Sequence, residues 1–208
     1  MSVLNEISEM MQRGKVAAVK ELIAKALEEG VSAASILQDA LLPGMDVVGE
    51  KFKNNQIYVP EVLIAARAMN AGAAMLKPYL AEEGVTERGT VVIGTVKGDL
   101  HDIGKNLVGM MMEGKGLRVI DLGTDVPADR FVEAAKENDA DIIACSALLT
   151  TTMGEMKSVV EKTKAAGLKA RVIIGGAPIT QNFCDSIGAD GYTADAASAA
   201  ELALSLCS

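Results

Sequence analysis

Tryptophan is absent from this chain of 208 residues, and histidine occurs once. Three Phe and three Tyr make up the aromatic set. So few flat side chains are poor stacking platforms for bases, and a net charge of −8 opposes a phosphate backbone. No nucleic-acid partner is expected. A single imidazole also excludes catalytic systems built on several. If a histidine does chemistry here, it is His101. Cys145, Cys184 and Cys207 are the only cysteines, and no two form a Cys-x-x-Cys pair. They are too few and too scattered for a structural zinc site, which takes about four ligands. They read as reduced thiols, with Cys145 in an apolar core run. No stretch approaches the ~18–20 consecutive apolar residues of a membrane span. The first residues lack the basic and apolar regions of a signal peptide. The expectation is a cytoplasmic protein with no membrane partner.

Half of the residues are hydrophobic, and their spacing changes along the chain. Up to about residue 81 they recur at helical intervals. Leu4, Ile7, Met10 and Met11 mark one helix; Val16, Val19, Leu22, Ile23 and Leu27 mark the next. Gly30 suits a helix end and Ser32 a helix start. Pro43-Gly44 interrupts or kinks the third helix. Pro60 fits the first turn of a fourth, rich in Ala and Gly, that runs from Glu61 to about Leu80. Residues 1–81 are expected to form a four-helix bundle. The polar stretch 82–89 reads as a linker. From 90 to 208 the pattern is α/β. Apolar runs Thr90–Val96, Leu117–Leu122, Asp141–Ser146, Arg171–Ile174 and Gly191–Thr193 are each followed by an amphipathic segment. Such alternation predicts a five-stranded parallel sheet of the flavodoxin or Rossmann-like kind, with helices on both faces. Ligands on such sheets bind beyond the carboxyl ends of the strands.

The first of those ends carries Gly98-Asp99-Leu100-His101-Asp102-Ile103-Gly104-Lys105-Asn106. A phosphate-binding P-loop needs four residues between its glycines and then Lys-Ser/Thr. Here five residues separate Gly98 from Gly104, and Asn106 stands where the hydroxyl belongs. A Gly-x-Gly-x-x-Gly fingerprint is absent. A lone loop histidine is commonly only a satisfied polar residue. Against that, Asp99 sits two residues before His101. A carboxylate that accepts the proton of one ring nitrogen fixes the tautomer and leaves the other nitrogen free for a metal. Met110, Met111 and Met112 read as adaptable core packing.

Asp99-x-His101-x-x-Gly104 resembles the Asp-x-His-x-x-Gly motif of cobalamin-binding domains. Residues 105–145 then separate it from Ser146-Ala147-Leu148, and residues 149–174 precede Gly175-Gly176, in the order and spacing of that family. The helical segment, with Val59-Pro60-Glu61-Val62-Leu63-Ile64-Ala65-Ala66 and Met69, resembles the cap module of methionine synthase. It also resembles the corrinoid proteins of methylamine and methanol methyltransferase systems. Nearly the whole chain takes part in the likeness.

The resemblance implies a cobalamin or related corrinoid bound base-off/His-on, with His101 as the lower axial ligand of cobalt. Asp99 would hold the other ring nitrogen, and Ser146 would hydrogen-bond Asp99 to complete a relay. Gly98, Asp102, Ile103, Gly104, Leu148, Thr150, Thr151, Gly175 and Gly176 would line the corrinoid and its displaced nucleotide tail. Tyr58, with Ala65 and Ala68, would border the upper face beneath the cap. The chain would be a methyl carrier, not catalytic alone. A substrate-specific methyltransferase (methylamine, methanol or betaine type) would load the methyl group. A second methyltransferase would pass it to coenzyme M or tetrahydrofolate, and a reductive activase would maintain the cobalt. Two other classes share the motif: the cofactor subunit of an adenosylcobalamin mutase, and a cobalamin-dependent sensor. A four-helix cap argues against the first, and the absence of Trp and of a basic domain against the second.

Overall fold

The computed structural model describes residues 2–207. The chain divides into two compact units. The first holds the residues up to Glu87 together with Glu113–Gly116; the second holds Arg88–Met112 and the residues from Leu117 onward.

The first unit is helical: α1 Val3–Gln12, α2 Val16–Glu28, α3 Ala33–Ile36, α4 Leu42–Lys53 and α5 Val59–Glu82. Ser2 and Ser32 start α1 and α3 by accepting the Asn5 and Ser35 amides, which satisfies donors that a helix start leaves open. The other two free amides of α3, from Ala33 and Ala34, go to the two carboxylate oxygens of Glu83 at 2.8 Å each. Pro43 does not interrupt the third helix. A π-helical turn, Leu37–Leu41, joins α3 to α4 without a break. Its wider bond runs from the Leu42 amide to the Leu37 carbonyl. The proline follows that turn directly, at the start of α4, so the helix passes through a residue with no N–H to donate where its bonding pattern is already shifted. The small residues of α5 serve packing. A Cβ on Gly72 would come within 3.0–3.2 Å of Ile23, Leu41 and Val19, so the glycine lets neighbouring helices approach closely. By length and hydropathy α5 matches a membrane-crossing helix, although Val62, Ala65, Ala66, Ala68, Met69, Gly72 and Leu76 are buried in this structure.

The second unit is a parallel sheet: β1 Thr90–Thr95, β2 Arg118–Asp121, β3 Ile142–Ser146, β4 Arg171–Gly175 and β5 Gly191–Tyr192, in the order β2-β1-β3-β4-β5. Between and after them run α6 Ile103–Gly114, α7 Ala128–Glu137, α8 Gly154–Ala165, α9 Gln181–Ile187 and α10 Ala196–Leu206. Strands this apolar are covered on both faces. One layer of the core gathers around Phe131, with Val92, Ile143, Val159 and Ile174. Gly94 makes room for it, since a Cβ there would meet the Phe131 ring at 2.9 Å. Of the three methionines in α6, Met111 and Met112 are buried and Met110 half-buried, as packing residues should be.

The strand order decides where a ligand belongs. The chain leaves β1 toward β2 on one side, whereas β3 leads on to β4 and β5 on the other. The crevice of a doubly wound sheet opens at that switch, beyond the carboxyl ends of β1 and β3. In this chain those ends are followed by Val96–Asp102 and Ala147–Met153.

Candidate functional site

The β1 loop opens with a tight turn. Asp99 N–H donates to the Val96 carbonyl at 3.1 Å. Gly98, the third residue of that turn, has φ of 81°, a conformation that glycine adopts without strain. The turn carries Asp99 inward, and its side chain is 0% exposed. A buried carboxylate must be surrounded by donors. Its Oδ1 accepts from His101 Nδ1 at 2.7 Å and from the His101 amide at 3.1 Å. Its Oδ2 reaches across to the β3 loop, where it accepts from Leu148 N at 2.7 Å, Leu149 N at 3.1 Å and Thr152 Oγ1 at 3.0 Å. Burial alone pushes the Asp99 carboxyl up. The hydrogen bonds from His101, Leu148 and Leu149 outweigh it and hold the group well below the usual carboxylate range. Asp99 is therefore ionised and only accepts. It follows that Nδ1 of a neutral His101 ring carries the proton, and Nε2 presents a lone pair.

Buried Thr95, the last residue of β1, fixes the other side of the loop. Its hydroxyl donates to the His101 carbonyl at 2.7 Å. The His101 ring itself is 51% exposed. Around it stand four large apolar side chains left open to solvent: Leu100 (73%), Ile103 (76%), Leu148 and Leu149. An oriented imidazole among exposed aliphatic groups suits a flat, largely apolar ligand with a metal at its centre.

The predicted site residues divide into groups. Gly98, Asp99, His101, Ile103 and Leu148 come together at the crevice. Asp102 precedes α6, and its carbonyl accepts the Asn106 amide at 2.8 Å. Gly104, in the first turn of α6, and Gly175, at the end of β4, face open space: a Cβ on either would meet nothing within 4 Å. Thr150 and Thr151 are exposed in the β3 loop. Gly176 differs from its neighbour. Its φ is 132°, and a Cβ there would overlap the Ala147 carbonyl, so its backbone role is already explained by the protein's own atoms. Tyr58, at the start of α5, is exposed, whereas Ala65 and Ala68 are fully buried.

One expectation is corrected. Ser146 is not among the Asp99 donors. It ends β3, in register with Thr95 and Gly175, and the donors come from the next few residues as the chain turns over Asp99. Thr152, not Ser146, supplies the hydroxyl. It lies one residue past the pair Thr150 and Thr151 singled out from the sequence. A third consecutive threonine gave no separate signal, but its hydroxyl also bonds the Leu149 carbonyl at 2.9 Å, a local turn that Thr side chains favour. Thr95 was equally hidden, since a β-branched residue in a strand reads as packing.

Residues 89–201 match the B12 binding domain family, and residues 3–77 match a second family of the same description. The fold and site thus define a cobalamin-binding protein, whose cofactor is a corrinoid. A corrinoid protein of Desulfitobacterium hafniense (strain Y51) is 43% identical over 208 residues, covering 98% of this chain and 96% of its own. The dimethylamine corrinoid protein of Methanosarcina barkeri is 42% identical over 200 residues, covering 95% of this chain and 93% of its own. Among solved structures, the methanol:cobalamin methyltransferase complex of Methanosarcina barkeri aligns with a TM-score of 0.88 at 32% identity, over 99% of this chain and 79% of that one. A cobalamin-binding protein of Desulfitobacterium hafniense DCB-2 aligns with a TM-score of 0.81 at 32% identity, over 98% of both chains. The chain belongs to the family of corrinoid proteins of methyltransferase systems.

Proposed function

We propose that this chain is a methyl carrier that holds its corrinoid base-off/His-on, with His101 Nε2 as the lower ligand of cobalt. The observation that carries this is the Asp99–His101 pair: a buried, ionised carboxylate holds Nδ1 and leaves Nε2 open among exposed apolar side chains. When bound, the corrinoid supplies a cobalt that can take up and release a methyl group. Every other part of the work falls to the protein. Asp99 keeps the imidazole in one tautomer and one orientation. Leu100, Ile103, Leu148 and Leu149 offer apolar surface to the macrocycle. Gly98, Asp102, Thr150 and Thr151 border the same loops, and Gly104 and Gly175 keep the tail's path free of side chains, while Gly176 lets the backbone after β4 pass close to Ala147. The helical segment 1–81 acts as the cap, with Tyr58 toward the upper face and 82–89 as linker. The partners are a substrate-specific methyltransferase of the methylamine, methanol or betaine type, a second one acting on coenzyme M or tetrahydrofolate, and a reductive activase. The three free thiols suit the cytoplasm.

The single histidine makes the decisive test clean. Protein grown on nitrogen-15 histidine is reconstituted with cobalamin, reduced to cobalt(II) and examined by electron paramagnetic resonance. Isotope-dependent nitrogen splitting in the wild type, lost in His101→Ala, is the expected result. A splitting indifferent to the label or to the substitution overturns the assignment.

Gly104 offers a second test. Alanine is the better helix former by up to about 1 kcal/mol, and the site has space for it. Gly104→Ala should therefore raise the melting temperature of the cofactor-free protein slightly while weakening corrinoid binding by tenfold or more. Titration calorimetry reads the second effect; unchanged affinity would remove Gly104 from the tail's path.

A further inference from the structure

The loop that follows β2 does something that neither the motif nor the relay accounts for. It runs Leu122-Gly123-Thr124-Asp125-Val126-Pro127 and lies against the ligand loop of β1. Asp125 has φ of 56°, in the left-handed region that Asp and Asn tolerate better than most residues. In that conformation it meets the neighbouring loop twice. Its Oδ1 accepts the Gly98 amide at 2.7 Å, and its own amide donates to the Asp99 carbonyl at 2.9 Å. The Gly98-Asp99 unit is thus gripped at both ends, immediately beside the carboxylate that orients His101.

The platform beneath Asp125 is itself secured. Thr95 N–H donates to the Gly123 carbonyl at 2.9 Å, and Val126 N–H returns a bond to the Thr95 carbonyl at 3.0 Å. Asp121 Oδ1 accepts the Gly123 amide at 2.8 Å. The other oxygen of Asp121 pairs with buried Lys105 at 2.5 Å, and the same ammonium reaches Asn106 Oδ1 at 2.6 Å. A buried lysine with these partners ties the start of α6 to the end of β2. The loop therefore has little freedom to drift away from Gly98.

We propose that Asp125 is a positioning residue for the His101 ligand. Its carboxylate and its left-handed backbone set the direction of Asp99, and through Asp99 the tautomer and angle of the imidazole. The inference rests on the proposed role of His101 and adds a residue to it that touches neither cofactor nor ring. Its partners are all backbone groups, so the side-chain requirement is for an acceptor oxygen on a residue at ease with positive φ. Asparagine meets that requirement. Glycine keeps the backbone but loses the acceptor. Alanine loses the acceptor and is strained.

The test uses the full chain without cofactor, labelled with nitrogen-15 histidine. The two ring nitrogens of the single histidine are resolved by nuclear magnetic resonance at mildly alkaline pH, so the tautomer ratio is read directly. The wild type should show the proton on Nδ1. In Asp125→Gly and Asp125→Ala the ratio should fall by about three- to tenfold, the worth of one hydrogen bond, while Asp125→Asn should keep it. Hydrogen exchange at the Gly98 amide should quicken in the same two variants only. If all three variants keep the wild-type ratio, or if Asp125→Asn fails along with the others, the proposal is overturned. Should Asp125→Ala not fold, the Gly and Asn variants carry the comparison alone. The cobalt(II) spectrum separates this idea from the one beneath it. A wild type without histidine splitting removes the ligand assignment, yet the tautomer ratios still decide the role of Asp125.

Discussion

Asp99→Ala is expected to lower the stability of the second unit by about 3 kcal/mol, even with no cofactor present. The residue is fully buried, and five donor contacts converge on its two oxygens. Alanine leaves the Leu148 and Leu149 amides of the β3 loop without their acceptor, while the Thr152 hydroxyl keeps the Leu149 carbonyl. Each such orphan costs about 1–3 kcal/mol before relaxation. Asp99→Asn should recover only part of the loss, because its amide group confronts donors on one side or the other. Denaturant melts with a probe in the second unit would measure both variants. At about 2–4 °C per kcal/mol for chains of this size, a shift under 2 °C in Asp99→Ala would show that the network carries little energy. The acid limb supplies a sign to check. The folded carboxyl is held below its unfolded value of about 3.9. Its contribution is complete above that value and is lost as pH falls through the lower folded pKa. The gap between wild type and Asp99→Ala should therefore stay constant down to about pH 4 and narrow only in stronger acid.

Gly176→Ala should be at least as damaging, and Gly175→Ala should not be. The two glycines are adjacent and were read together as a pair that admits a ligand tail. Gly176 has φ of 132°, and a Cβ would overlap the Ala147 carbonyl while sitting 3.2 Å from the Ala147 nitrogen. Both obstacles are backbone, held by the register of β3 with β4, so neither can swing aside. Strain at such a position, with the displacement it forces, is expected to cost about 3 kcal/mol or more. A Cβ on Gly175 meets nothing within 4 Å, so its substitution should change stability by about 0.5 kcal/mol at most. Any loss of corrinoid affinity in Gly175→Ala then belongs to the ligand. Equal melting curves for the two variants would contradict this division.

Much of the fold was legible because its elements obey simple periods. The strand runs lie within a residue or two of β1 to β5, and a helix follows each of them, as the amphipathic segments predict. The third helix was harder. Pro43 signals a break when only local rules apply, yet a π turn absorbs the missing donor and the helix continues. The site was legible where chemistry sits on adjacent residues, as in Asp99 and His101. It was illegible where the partner is distant or speaks through its backbone. Nothing in the third of three consecutive threonines announces that the Thr152 hydroxyl will fall on Asp99. Leu148 and Leu149 act through amides, which every residue carries. Asp125 matters for an acceptor oxygen and a positive φ, and Gly-Thr-Asp-Val-Pro reads only as a turn.

The donors on Asp99 Oδ2 lie 49 to 53 residues further along the chain. During synthesis on the ribosome, His101 and Asp99 emerge well before Leu148 and Thr152. A nascent chain that ends before β3 has the local bonds between Asp99 and His101 but none of the three donors that hold Asp99 Oδ2. The buried carboxylate is therefore left short of three of its five donors until β3 has emerged and settled beside β1, so the geometry around His101 is completed late in synthesis.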